Sequence, residues 1–192
     1  MNYAAFFSYA VIQIFTPGPN NIMAMNNATN FGILNSIGFD FGVMAGFFVI
    51  VVVSCLFSTA LYAVVPTVEP IVTVIGAAYI LYLAWKTFTA GGHKDDSRAG
   101  IRNFLPGVVV QFINPKGLLM ALTVSSVYIT PSFTSIWPMV GLAALLGAMC
   151  LVSTLMWGLF VSMFQKFFTG HRKLVNAIMA LLLLYCAVSL FL

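Results

Sequence analysis

Six long apolar stretches, separated by short polar segments, run along the chain. A helix needs about 20 predominantly apolar residues to cross the hydrocarbon core of a bilayer. The short alternating segments that are typical of a membrane barrel are missing from this sequence. The pattern therefore predicts an all-α polytopic membrane protein with six transmembrane helices, at residues 4–26, 37–64, 70–90, 104–127, 136–163 and 172–191. Polar breaks are expected at 26–30, 66–70, 91–103, 130–132 and 165–173.

Composition excludes two other classes of protein. Only 6% of the 192 residues are charged and 61% are hydrophobic, whereas a soluble domain carries about 25% charged residues. So few charges cannot solvate a globular surface, which excludes a soluble enzyme and a disordered chain. The net charge of +4 is then no signal for nucleic-acid binding, and nothing in the sequence calls for a cofactor.

The distribution of Lys and Arg predicts the orientation in the membrane. They flank only the third and fifth of the expected loops, as Lys86, Lys94, Arg98, Arg102, Lys166, Arg172 and Lys173. Basic loops stay in the cytoplasm, so both termini are expected on the periplasmic side. The first apolar stretch has turn residues where a signal peptide would have a small-residue cleavage site. We therefore interpret it as the first transmembrane helix.

A weak internal repeat relates the two halves of the chain. A shift of 98 positions places Val11, Gln13 and Pro17 on Val109, Gln111 and Pro115. This divides the chain into a first three-helix repeat at 1–90, a cytoplasmic linker at 91–103 and a second three-helix repeat at 104–192. Because each half has an odd number of helices, the second would enter the membrane from the opposite side. Such inverted repeats, with broken helices, are common in secondary transporters.

The two aligned prolines predict breaks in helices 1 and 4 near the middle of the membrane. Irregular backbone survives there only inside protein or beside a watery cavity. Freed N–H groups attract a carboxylate and freed carbonyls attract an ammonium group, which suits a zwitterion such as an amino acid. The alternative is a pair of simple proline kinks. The expected substrate-binding residues are Gln13, Thr16, Pro17, Gly18, Pro19, Asn20, Asn21, Gln111, Asn114, Pro115 and Lys116.

Two charged residues within apolar stretches are candidates for ion coupling. Lys116 is far from any loop, and a cation at that depth is costly and usually functional. It can hold a substrate carboxylate or release a proton, and the alternative is that it snorkels to the interface. Asp40 can receive an ammonium group or a proton, although its place near a helix start fits a solvated carboxylate equally well.

Small residues in the apolar stretches have structural interpretations. Gly38, Gly42 and Gly46 allow close helix contact, within the protomer or in a homodimer. Three cysteines without a paired spacing are expected to be buried small hydrophobes. His93 and His171 lie in predicted cytoplasmic loops without a second ligand, so no metal site is expected.

Three runs of residues resemble the lysine exporter and homoserine/threonine resistance (LysE/RhtB) superfamily. They are Thr16-Pro17-Gly18-Pro19-Asn20-Asn21, Asn114-Pro115-Lys116-Gly117 and the segment 76–86, GAAYILYLAWK. Through the segment 180–188, ALLLLYCAV, the chain is most similar to the cysteine and O-acetylserine exporters. The resemblance covers essentially the whole chain, and the superfamily's motif residues map onto Pro17, Gly18, Pro19, Asn20, Asn114, Pro115 and Lys116.

The resemblance implies a bacterial inner-membrane exporter of small neutral amino acids or close metabolites, driven by the proton gradient. Its partners would be the amino acid, protons and membrane lipid. Asp40 matches no motif of the superfamily. From the residues alone, a passive channel, an importer of the same fold and an intramembrane enzyme remain alternatives, although no His lies within a predicted helix to serve as a catalytic base.

Overall fold

The computed structural model describes residues 1–89, 102–163 and 172–189. These residues are helical, with short turns between the helices, and they contain no strand. The helices are α1 (Tyr3–Phe15), α2 (Pro19–Phe31), α3 (Ile33–Leu56), α4 (Ser58–Phe88), α5 (Phe104–Ile113), α6 (Pro115–Thr123), α7 (Ile136–Met163) and α8 (Arg172–Ser189). A π-helical segment, Val124–Ile129, continues α6. The all-α prediction is confirmed for the described residues.

Two helices of the described chain, α3 and α7, are long and apolar enough to cross a membrane. The pair α5 and α6, bent by 69°, forms a third candidate span together with the π-helical segment. Shorter apolar helices cover Tyr3–Phe15, Thr73–Phe88 and Leu174–Val188. The breaks predicted at Pro17 and Pro115 are present, while the full count of six spans stays a prediction.

Two predicted helix boundaries were wrong. The Asn-rich segment 26–30 does not interrupt the chain, because α2 continues to Phe31 and the turn falls at Gly32, whose φ of 81° favours glycine. Nor does the segment between Pro66 and Pro70 end a helix, because α4 runs through it. The chain turns instead at Phe57. Prolines are tolerated inside membrane helices, so they are weaker boundary signals there than in soluble proteins.

Several predicted loop residues lie outside the described residues. These are His93, Lys94, Arg98, Lys166 and His171, together with most of the linker 91–103. The orientation that they predict therefore stays a prediction.

The helix α3 lies at the centre of the bundle and packs on both α5 and α7. Its glycines allow this contact, because a methyl group at Gly42 would overlap the Phe104 carbonyl and one at Gly107 would overlap the Phe39 carbonyl. The glycine stripe of α3 is therefore used within the protomer, as one of the two interpretations predicted. The helix α2 packs on α7, and α4 packs on α8.

Candidate functional site

The first helix break exposes the carboxyl end of α1 to the interior of the bundle. Thr16 has an extended backbone with ψ of 136°, and Gly18 is also extended before α2 begins at Pro19. Proline at Pro17 disfavours helical dihedrals for the residue before it, so α1 cannot continue through Thr16. Carbonyl oxygens of the last turn of α1 consequently lack partners within the helix.

These carbonyls find donors from three other parts of the chain. The Asn21 amide donates to the carbonyls of Ile14 and Thr16, at 3.1 and 3.2 Å. On α7, Ser153 Oγ donates to the Ile14 carbonyl at 3.0 Å and Trp157 Nε1 donates to the Phe15 carbonyl at 3.3 Å. Lys116 Nζ donates to the Thr16 carbonyl at 3.2 Å. We expected these carbonyls to attract an ammonium group. They already accept hydrogen bonds from protein donors, one of which is the Lys116 ammonium group.

The second break is capped by its own asparagine. Asn114 ends α5, Pro115 is the first residue of α6, and the Asn114 side-chain oxygen accepts the Lys116 N–H at 3.1 Å. Proline suits the first helical position because its missing N–H needs no partner there. The Lys116 side chain can therefore leave the start of α6 and reach the end of α1.

An amide network joins the two breaks. Asn114 Nδ2 donates to Asn20 Oδ1 at 3.2 Å, and Asn20 Nδ2 donates to Gln111 Oε1. Gln111 is only 1% exposed and lies between Gly46 and Gly117, where added side chains would contact its own. The two halves of the chain are thus linked by three of the expected substrate-binding residues, of which Gln111 belongs to the internal repeat.

A cavity with a volume of about 40 Å³ lies where the breaks meet. That is room for about three water molecules. Eight of the predicted residues line it, namely Gln13, Thr16, Gly18, Asn20, Asn21, Gln111, Asn114 and Lys116. Pro17 is exposed, and Pro19 and Pro115 are buried beside the cavity without lining it. The prolines therefore shape the site while the amides and Lys116 face into it.

The remaining walls come from residues that the sequence reasoning missed. They are largely apolar or sulfur-bearing and comprise Ile14, Val43, Phe47, Gly117, Met120, Cys150 and Thr154. Within α7, the adjacent Ser153 and Thr154 are polar residues near the middle of an apolar span, and this signal was available. The apolar wall has no such signal, because Phe47 looks like any lipid-facing residue until the packing is known.

Lys116 is half-buried at one edge of the cavity. Its ammonium group lies at the negative end of the α1 dipole, which stabilises a positive charge. Near Gly18 the side chain passes so closely that a methyl group there would lie 3.4 Å from Lys116 Cδ. The side chain thus bridges the two breaks, whereas snorkelling to an interface would have drawn it away.

Asp40 is buried below the cavity, so the alternative of a solvated carboxylate was wrong. Its side chain is 3% exposed and lies beside Thr154, which lines the cavity. Val43 and Phe47 follow it on the same face of α3 and also line the cavity. Asp40 does not line the cavity itself, but it lies one helical turn away.

The LysE type translocator family matches residues 11–192. A cysteine/O-acetylserine efflux protein of Escherichia coli O139:H28 (strain E24377A / ETEC) is 33% identical over 98% of this chain and 96% of its own length. The protein of the same name from Salmonella choleraesuis (strain SC-B67) is 34% identical over 100% of this chain and 98% of its own. No solved structure matches the chain. The two motif-bearing breaks and the matches over nearly the full chain lead to one conclusion, that the chain belongs to the LysE type translocator family.

Proposed function

We propose that the protein exports small neutral amino acids such as cysteine and O-acetylserine across the bacterial inner membrane. The observation that carries this proposal is the cavity at the meeting point of two broken helices, in a chain that matches efflux proteins over almost its whole length. Broken helices of transporters present charged helix ends to substrate and ions. An amino acid carries a carboxylate, which suits a helix N-terminus, and an ammonium group, which suits a helix C-terminus.

In the proposed complex, Lys116 and the N–H groups at the starts of α2 and α6 bind the substrate carboxylate. Both helix starts face the cavity through Gly18 and Asn114, and both carry the partial positive charge of a helix N-terminus. The amides of Gln13, Asn20 and Gln111 then bind the amine and the substrate side chain. Because the cavity holds only about three water molecules, it must widen to admit an amino acid.

The proposed architecture is six transmembrane helices in two inverted repeats, at 1–90 and 104–192 with the linker 91–103, and with both termini in the periplasm. In support, the repeat relates the broken pair α1 and α2 to the broken pair α5 and α6. It also relates α3 to α7 and α4 to α8, and each of these two pairs packs together. A pseudo-twofold axis through such contacts is the arrangement that inverted repeats produce.

We propose alternating access coupled to proton entry from the periplasm. Asp40 and Lys116, close to the cavity on different walls, are the groups that would take up and release the proton. The burial of Asp40 supports this proposal, as does the hydrogen bond that Lys116 Nζ donates to the Thr16 carbonyl. Substrate and proton would bind in different conformations, so that one leaves as the other enters.

Pro17→Ala is expected to lower efflux about tenfold with the protein still folded. Without the proline, Thr16 can adopt helical dihedrals, so α1 extends and its carbonyls leave the cavity. The loss of one interaction in the transition state of transport, about 1.4 kcal/mol, corresponds to a tenfold lower rate. Initial efflux rates at equal protein amounts measure the effect. Pro138→Ala, in the first turn of α7 and away from the cavity, is the matched control. Equal rates for the two variants would contradict a role for the first break.

Everted membrane vesicles from cells that express the protein test the proposed activity. Export then becomes uptake into the vesicle, and labelled cysteine or O-acetylserine is expected to accumulate only when the vesicle interior is acidic. Uptake should saturate with substrate concentration. Uptake that never saturates, or that ignores the pH gradient, would indicate a passive channel and contradict the proposal.

A further inference from the structure

Two buried polar side chains between the cavity and the α2–α3 turn have atoms without a hydrogen-bond partner. Asn27 is fully buried, and neither its amide oxygen nor its amide nitrogen has a hydrogen-bond partner. Asp40 is 3% exposed, and its Oδ1 has none either. Buried polar atoms in native proteins are nearly always satisfied by protein, water or an ion. Two such groups, on the neighbouring helices α2 and α3, therefore indicate a site for something that the chain itself does not supply.

Contacts between three helices locate Asn27. A methyl group at Gly158 of α7 would lie 3.5 Å from Ala28 Cβ of α2 and 3.8 Å from Ile33 Cδ1 of α3. The helices α2, α3 and α7 therefore meet at this level and form a junction. Asn27 directly precedes Ala28, and Thr154 lies one turn from Gly158 on the same face of α7. Asn27 thus lies about one helical turn from the level of Thr154.

Asp40 reaches the same junction from α3. It lies two turns beyond Ile33 and beside Thr154. Since α2 and α3 are joined by the single turn residue Gly32 and pack together, they run in opposite directions. Side chains tilt toward the N-terminus of their own helix, so those of Asn27 and Asp40 converge from the two sides.

The hydroxyl groups of the junction each have a backbone acceptor on their own helix, and Thr154 is also a hydrogen-bond partner of Asp40. Thr154 Oγ1 donates its proton to the Leu151 carbonyl at 3.1 Å, and Ser36 Oγ donates to the Ile33 carbonyl at 3.0 Å. Both are at most 2% exposed. With the hydroxyl protons used in this way, their lone pairs and the carboxylate remain as acceptors. Such a set of oxygens suits a small hard cation.

We propose that Asn27, Asp40 and Thr154 form the site that binds the small monovalent cation whose gradient drives transport. This rests on the proposed function and adds Asn27 and Thr154 to it. In the proton case, Asp40 carries the proton and donates it to a neighbouring oxygen. Once the ion is bound, Asn27 can serve both states, because an amide oxygen can accept from the acid and an amide nitrogen can donate to the carboxylate. A sodium ion would use the same oxygens.

Few other titratable groups face the junction. The helix α2 has none in its sequence, α7 brings Cys150, and α6 brings Lys116, which is bound to the Thr16 carbonyl on another wall of the cavity. Before α5, Arg102 lies 5.3 Å from the centre of the Phe31 ring. Asp40 is therefore the carboxylate of this site among the described residues.

Comparing net efflux with exchange in proteoliposomes tests the site. Exchange of internal for external amino acid needs no cation to cross, whereas gradient-driven efflux does. Asn27→Leu keeps the branched shape of the side chain and removes its polar atoms, and Asn27 does not line the cavity. This variant is expected to lower gradient-driven efflux by about tenfold and to leave exchange within about twofold of the wild type. The same Asn-to-Leu change at the exposed Asn35 of α3 is the control and should change neither rate.

An equal loss of exchange and efflux in Asn27→Leu, or no loss of either, would overturn the proposed cation site. Efflux by the wild-type protein is also measured with an imposed sodium gradient at constant pH. If sodium drives efflux and Asn27→Leu abolishes that response, the site stands and the proton in the proposed function is wrong.

Infrared difference spectra of the purified protein provide a readout that needs no transport. A carboxyl band that titrates with pH, or that changes with added sodium, is expected in the wild type. Asp40→Asn should remove it and Asn27→Leu should shift it. If no carboxyl band responds to either ion, the cation site is wrong whether or not amino acids are transported. A responding band in a protein that moves no amino acid would refute the proposed function alone.

Discussion

Lys116→Ala is expected to lower amino-acid efflux by about tenfold to a hundredfold, because one charge-assisted hydrogen bond to the substrate carboxylate is worth roughly 1.5–3 kcal/mol. The variant also loses the hydrogen bond from Nζ to the Thr16 carbonyl that joins the two breaks. The protein should still fold, since that carbonyl keeps the Asn21 amide as a donor. Initial efflux rates and the midpoint of thermal unfolding measure the two effects.

Lys86→Ala provides the matched control. Lys86 lies on α4 with its ammonium 5.2 Å from the centre of the Tyr82 ring, and it does not line the cavity. Its loss should leave efflux unchanged. If Lys116→Ala also exported at the wild-type rate, Lys116 would have no part in binding and the carboxylate would need another partner.

Gly42→Ala is expected to destabilise the fold more than other single methyl additions to α3. The new methyl group would overlap the Phe104 carbonyl and approach Gly107 Cα to 3.0 Å. These are backbone atoms, so relief requires α3 and α5 to separate. Overpacking costs about 1–3 kcal/mol, which lowers the midpoint of thermal unfolding by roughly 2–12 °C.

The same substitution at Gly141 isolates this effect. A methyl group at Gly141 meets no atom within 4 Å, so Gly141→Ala should unfold with the wild-type midpoint in the same detergent. Equal midpoints for Gly42→Ala and Gly141→Ala would show that α3 and α5 do not approach as closely as described here.

The sequence predicted the helix breaks because their signals are local. Proline restricts its own φ and the conformation of the residue before it in any environment, so Pro17 and Pro115 interrupt the helices where expected. Pro66 and Pro70 show the limit of the same signal, since α4 runs through both.

Partners across the bundle were harder to predict. The repeat aligned Gln13 with Gln111, but only the packing shows that Gln111 accepts from Asn20. Asp40 looked close to an interface because the second helix was expected to begin at residue 37. The helix α3 instead begins at Ile33, and Asp40 is buried within the bundle. Asn27 looked like a loop residue, since three Asn within five residues usually mark a turn. Burial by α3 and α7 reverses that interpretation.

Efflux from proteoliposomes of the purified protein tests amino-acid export directly. The liposomes are loaded with a panel of labelled amino acids, and efflux is followed with and without an imposed pH gradient. We predict saturable loss of cysteine, O-acetylserine or another small neutral amino acid that accelerates when protons can enter from the opposite side. Retention of every amino acid under both conditions would contradict amino-acid export by this protein, and with it the binding of a substrate carboxylate by Lys116.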